Sequence, residues 1–315
     1  MYKRITSIAS AITIAILICN CPNCSNLNYS DAIEGTLVLE NTHEYGPKWS
    51  PEGNYILFCG SKFLETPQDG TANVYVDYPW AIFAIDVNKM EPIQVYSSDK
   101  GDKYANWYID ENSIVFSSWM SVQARNRLYA YHLYEEEPYR LTNSEGRYDE
   151  NYPVYSPTSG EIAFSANFNG GFDIWKTKPG DEPELLISTP GYDTYPEWSP
   201  DGKEILFTSD DGGSWNIWKT DFYGVNKINL TGPTSSNSNN SHGSWSQTRN
   251  LIAFSSDRSG SWDIWVMEPD GSNPTRITND PANEVAPTWS PDGIRLAYQT
   301  DKYGTWDIGI VSFIE

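Results

Sequence analysis

Histidine and cysteine are scarce in this 315-residue chain, with three of the first and four of the second. Cys19, Cys21 and Cys24 stand at the N-terminus and only Cys59 lies further on, so no internal disulfide framework staples the body of the chain. Basic residues are also few: 21 Lys and Arg face 42 Asp and Glu, a formal net charge of −21. A chain this acidic repels phosphate backbones, and nucleic acid is excluded as an expected partner. Catalytic signatures are missing as well. No Gly-x-Ser-x-Gly elbow, His-Glu-x-x-His pair, phosphate-binding glycine loop or EF-hand loop occurs. No stretch beyond the N-terminal run reads as a convincing helix.

A long apolar run occurs once. Lys3 and Arg4 precede Ile5 to Cys19, which is apolar apart from Thr6, Ser7, Ser10 and Thr13. That is the charged start and short apolar centre of a secretory signal. At roughly 15 residues it is shorter than the ~20 of a spanning helix. Residues 1–25 therefore read as a signal peptide or N-terminal anchor, 26–33 as a linker and 34–315 as the folded domain. A lipidated cysteine wants a small residue before it, whereas Ile18, Asn20 and Asn23 precede the three candidates. Signal peptide, lipoprotein and uncleaved anchor stay open. All three place the domain outside the cytoplasm, with any membrane attachment through the N-terminus alone. Cys21-Pro22-Asn23-Cys24 has redox or metal spacing, but it lies in this processing region without a strand–helix context.

What the chain has in plenty is aromatic residues, 13 Trp, 21 Tyr and 11 Phe, enough to build a core. They fall in a repeat. An aromatic before a tight turn recurs at Trp49, Trp107, Tyr155, Trp198, Trp245 and Trp289. The period suits one four-stranded propeller blade, for which ~40–50 residues is usual. After each turn comes an apolar pair, an aromatic and a small or polar residue, as in Ile205-Leu206-Phe207-Thr208 and Ile252-Ala253-Phe254-Ser255. A later strand carries Asp173-Ile174-Trp175, Asn216-Ile217-Trp218, Asp263-Ile264-Trp265 and Asp307-Ile308-Gly309. In Ser199-Pro200-Asp201-Gly202 the proline presets φ at the second turn position and glycine takes the fourth, where φ turns positive. The fold class is all-β: a six-bladed propeller of four-stranded antiparallel blades. The chain after Trp289 is short of a fourth strand, while Thr36 to Glu40 is a surplus strand ahead of the first repeat. Pairing the two, near Asp307 to Phe313, closes the ring and removes two bare edges.

The stretches from Tyr195 to Asp210 and from Ser256 to Thr278 resemble the TolB-type β-propeller repeat, and the resemblance covers about residues 34 to 315. It is strong in repeats 3 to 6, intact at Trp49–Gly53, and degenerate at Trp107–Glu111. It implies the propeller fold and a cell-envelope setting. TolB carries an α/β domain ahead of its propeller, for which there is no room between the leader and Thr36, so its role does not carry over with its fold.

In an up-and-down blade the loop leading into the first strand and the hairpin between strands two and three share one face. The lead-in segments place His43, Glu44, Tyr45, Tyr104, Asp149 and Glu150 at the mouth of the central channel. Tyr152, Asp193, Tyr195, His242 and Glu284 join them, with Lys103 and Asn240 alongside. The hairpins add Asp210, Asp211, Asp257, Arg258 and Asp301. Blade 1 differs, with a long insertion from Ser61 to Pro79 that brings Tyr78 to the same face. Such insertions are functional or disordered. This one is expected to fold over the mouth and supply aromatic contacts, or to pack on blade 2 for stability. The rim is acidic and tyrosine-rich, which suits a protein, cation or glycan partner. A merely solvated propeller end explains the same residues. The Asp173, Asn216, Asp263 and Asp307 column reads as a strand-end cap rather than a metal or acid site. The expectation is an exported, non-enzymatic, monomeric interaction module of the periplasm, binding an envelope protein without a cofactor. The alternative is a carbohydrate-binding or lyase-like propeller. His43 and His242, from two lead-in loops, leave room for a divalent cation there.

Overall fold

The computed structural model describes residues 34–37, 42–62, 80–89, 91–98, 100–119, 125–145, 148–232 and 238–313. Six four-stranded antiparallel sheets are arranged as the blades of a propeller, and no helix occurs among the described residues. The innermost strands are Thr42–Trp49, Asp102–Trp107, Glu150–Tyr155, Asp193–Trp198, Asn240–Trp245 and Glu284–Trp289. Each ends on the anchor aromatic of the repeat. Blades 1 to 5 continue outward in chain order, and blade 6 takes its outermost strand, Glu34–Leu37, from the N-terminus. That strand pairs with Asp307–Ser312 in the register Glu34 to Val311 and Leu37 to Ile308. It begins two residues earlier than the sequence suggests, and Val38, Leu39 and Glu40 lie outside the described residues.

The turn chemistry is as the repeat implies. Gly53, Gly202 and Gly293 have φ of +79°, +69° and +70° at the fourth position of their turns, a conformation that costs other L-residues energy. Each N–H donates to the serine carbonyl that opens the turn, at 2.9–3.0 Å.

Among the described residues the apolar side chains form six clusters, and each joins two adjacent blades. Leu57, Ile82, Trp107 and Phe116 link blades 1 and 2, and Ile174, Trp198 and Phe207 link blades 3 and 4. Trp49, Phe58, Ile85, Ala297 and Ile308 link blade 1 to blade 6. A lone blade leaves both faces bare, so the ring is the smallest unit that buries them.

A backbone latch repeats at every seam. The N–H of Glu44, Asp102, Glu150, Asp193, Asn240 and Glu284 donates to the carbonyl just before the third strand of the preceding blade. The acceptors are Trp306, Trp80, Asn126, Phe172, Trp215 and Trp262, at 2.7–3.2 Å. The Asp-Ile-Trp column sits in the same seams, as a strand-end feature. Asp263 accepts from Arg276 Nη2 at 2.7 Å, and Asn216 Oδ1 accepts from the Thr231 hydroxyl at 3.0 Å.

Asp307, at the seam of blades 6 and 1, is fully buried. Burial raises its pKa to about 6, against opposing hydrogen bonds with Thr305 and the Glu44 carboxyl. The folded state therefore holds a proton between about 3.9, the unfolded value, and about 6. This contribution to stability is fully present below about pH 4 and is lost as pH rises through 6. Asp307→Asn is expected to raise Tm at pH 7.5, by up to about 3 kcal/mol of stability, and to change little at pH 4. Thermal melts of both proteins across that range check it. A variant that destabilises equally at both pH values contradicts it.

Candidate functional site: the aromatic mouth of the channel

Every innermost strand carries one bulge, between Tyr45 and Lys48 in blade 1 and at matching places in the others. At each bulge one residue takes positive φ: Gly46 (61°), Tyr104 (56°), Tyr152 (55°), Tyr195 (51°), His242 (56°) and Ala286 (54°). A bulge re-aims a side chain, and here it aims one per blade into the channel. Non-glycine residues rarely adopt this conformation, so their backbone donors must be held. At His242, Ala286 and Gly46 the small or polar residue after the core aromatic does so across the seam, and at blade 2 the bond goes to Ala105, next to Tyr104. Thr208 Oγ1 accepts from His242 N–H at 3.2 Å, and Ser255 Oγ accepts from Ala286 N–H at 2.9 Å. Gln299 Oε1 accepts from Gly46 N–H at 3.2 Å, and Cys59 Sγ accepts from Ala105 N–H at 3.5 Å. Burial pushes the Cys59 thiol up to about 12, so it serves as an inert acceptor.

The four rings form an arc. Centroids are 4.0 Å apart for Tyr104–Tyr152, 4.2 Å for Tyr152–Tyr195 and 3.8 Å for Tyr195–His242. The Tyr152 hydroxyl donates to that of Tyr195 at 3.2 Å, and burial raises both phenol pKa values. Burial, with Lys48 nearby, pushes the His242 imidazole down to about 3. It is neutral across the physiological range, so this histidine is a wall and not a pH switch. Its Nδ1 lies 2.9 Å from the hydroxyl of its neighbour Ser241, and an imidazole this weakly basic cannot activate that hydroxyl.

The arc encloses a cavity of about 340 Å³, bounded on the other side by Gly46, Ala286 and Gln299. Deeper in, Lys48 and Glu197, from opposite blades 1 and 4, pair across the channel at 3.3 Å. At the rim, Tyr45 meets Trp80 edge-on at 4.7 Å and lies 6.4 Å from Trp306. Lys103 Nζ lies 5.5 Å from the Trp80 ring centroid and 5.1 Å from that of Trp119.

Of the residues the sequence singles out, Tyr45, Tyr104, Tyr152, Tyr195 and His242 meet at this cavity. Four of the acids leave the rim, whereas Asp149, Asp210, Asp211, Asp257 and Asp301 stay part-exposed. Glu44, Glu150, Asp193 and Glu284 are buried in the seams. Asp193 accepts from the Thr189 N–H and hydroxyl, both at 2.8 Å, and Glu150 from the Thr142 hydroxyl at 2.6 Å. Asp149 pairs with Arg125 at 3.0 Å, and His43 Nδ1 accepts from Trp306 N–H at 3.3 Å. Asp257 and Asp301 pin the lead-in residues Asn239 and Asn283. Tyr78 and nearly all of the blade 1 insertion lie outside the described residues. Among the described residues no three His, Cys, Asp or Glu side chains converge to hold a metal. Sequence reasoning missed Lys48, Glu197, Gln299 and the bare positions Gly46 and Ala286. The column three residues ahead of the anchor aromatic, reading Gly, Tyr, Tyr, Tyr, His and Ala around the ring, carries that signal.

Solved structures share the architecture. A putative TolB from Agrobacterium tumefaciens superposes with a TM-score of 0.63 at 17% identity, over 87% of this chain and 91% of that one. TolB from Acinetobacter baumannii gives 0.62 at 21%, over 86% of this chain and 64% of that one. The oligogalacturonate lyase of Vibrio parahaemolyticus gives 0.58 at 12%, over 91% and 95%. Identities this low show the fold alone. No curated protein sequence matches the chain. The TolB beta propeller domain family matches residues 36–249, more than half of the sequence. With its six blades, its repeat and this match, the chain belongs to the TolB beta propeller domain family.

Proposed function

We propose that this is an exported, non-enzymatic propeller that binds a partner of the cell envelope through its channel mouth. The observation that carries the reading is the aromatic cavity. It gathers ring faces and phenol hydroxyls at one end of a rigid ring, where binding sites on propellers and barrels concentrate. The chemistry around it favours binding over catalysis, because the thiol is buried and inert and the imidazole is a weak base. The apolar leader after Lys3 and Arg4 supports export, and the family resemblance supports an envelope setting.

Two measurements test this. Cell fractionation is expected to find the domain outside the cytoplasm; bulk protein in the cytosol with residues 1–24 attached contradicts export. Pull-down from envelope extracts is expected to retain a partner on the native protein and lose it with the rim variant Tyr45→Ala/Trp80→Ala. Equal retention by both moves the partner site away from the mouth. A glycan retained in place of a protein favours the carbohydrate-binding alternative.

A further inference from the structure

The ring of bulge residues is incomplete. Four of its six places carry aromatic rings spaced about 4 Å apart. The other two, Gly46 and Ala286, are adjacent around the closed ring, and they interrupt the arc between His242 and Tyr104. The gap is not imposed by crowding, since a Cβ built on Gly46 meets nothing within 4 Å. Nor is it imposed by the backbone, since three tyrosines adopt a φ within 10° of that of Gly46. The enclosed space, about 340 Å³, exceeds the ~150 Å³ apolar cavity that binds benzene. The pocket as a whole has the volume of one or two fused rings, and it opens onto the two positions that carry none.

A second feature sets the polar end. Lys103 lines the same cavity at its mouth, its ammonium held against Trp80 and Trp119. Among the described residues no carboxylate pairs with it. The neighbouring Asp102 carboxylate is turned into the seam, where it accepts from the Ser98 N–H and hydroxyl at 2.7 Å and the Ser118 hydroxyl at 2.5 Å. The cavity lining holds one other cation, Lys48, and one anion, Glu197, which pair with each other. Among the described residues the free charge facing the cavity is therefore positive, in a protein of net charge −21. The many distant carboxylates act through solvent and are screened beyond about 8 Å at physiological salt, whereas a contact ion pair is not.

We infer that the channel mouth binds a small aromatic carboxylate. Its ring fills the gap at Gly46 and Ala286 beside the tyrosine arc, and its carboxylate meets Lys103. This rests on the reading of the mouth as a binding site and names the ligand chemistry. A free organic acid and an aromatic residue at a polypeptide C-terminus share that chemistry.

Calorimetric titration with phenylacetate, benzyl alcohol, acetate, and N-acetylphenylalanine as free acid and as amide tests it. Phenylacetate is expected to bind the native protein at least tenfold tighter than benzyl alcohol or acetate. Lys103→Met is expected to erase the preference over benzyl alcohol. Gly46→Tyr places a fifth ring in the gap and is expected to abolish binding with Tm unchanged; Ala286→Tyr repeats the test should the first variant fold poorly. Binding of the N-acetylphenylalanine acid but not its amide points to a chain terminus as the source, and phenylacetate alone to an organic acid. No phenylacetate binding at millimolar concentration, or equal binding by native protein and both tyrosine variants, overturns the inference. A native protein that retains its envelope partner but ignores phenylacetate keeps the proposed function and loses only this ligand.

Discussion

A chain that begins at Thr42 is expected to melt about 10 °C below one that begins at residue 34. The shorter chain lacks Glu34–Leu37, leaving blade 6 three-stranded and the edge of Asp307–Ser312 bare. Four paired residues at about 1 kcal/mol per net hydrogen bond set the loss on the order of 4 kcal/mol. In a domain of this size each kcal/mol moves Tm by about 2–4 °C. The bare edge is also a template for pairing with another molecule, so the truncated protein is expected to associate on heating. Equal melting temperatures would show that this strand contributes nothing to closure, which the blade 1 to blade 6 cluster around Trp49 and Ile308 and the Glu44–Trp306 latch then maintain without it.

The second large effect is expected in the core. Phe254 is 0% exposed, in the cluster that joins blades 4 and 5. Arg258 lies over its ring at 5.2 Å. Phe254→Ala removes a ring from a seam that cannot collapse without moving two sheets, and about 3–5 kcal/mol is the expected cost. That is a large part of the ~5–15 kcal/mol by which a domain is stable. Tyr223, on the opposite face from the mouth and 75% exposed, is the control, with an expected change within about 0.5 kcal/mol on conversion to alanine. Chemical denaturation of the three proteins separates these outcomes. A Phe254→Ala midpoint like that of the control would mean the seams do not carry the stability.

The blades were legible because their columns follow from local physics. Trp198 before Ser-Pro-Asp-Gly, and Ile205-Leu206-Phe207 after it, specify strand, turn and buried strand within 16 residues. The tyrosines of the site were legible for the same reason, as lead-in residues of known register. What stayed hidden depends on neighbouring blades. Glu150 and Asp193 look like surface acids until the seam supplies their hydroxyl and backbone donors. Thr208 and Ser255 look like packing residues until the next blade brings His242 and Ala286 within hydrogen-bond reach. Lys48 and Glu197 are 149 residues apart and meet only across the closed channel. Gly46 and Ala286 carry meaning only by contrast with four rings, and that contrast appears when the six blades are laid side by side.

Photo-crosslinking in intact cells bears most directly on which face of the ring works. A photoreactive phenylalanine replaces Tyr45 at the channel mouth in one protein and Tyr223 on the opposite face in another. The expected result is a discrete adduct from position 45 and none from position 223. Adducts from position 223 with none from position 45 would contradict the assignment of the channel mouth as the binding site.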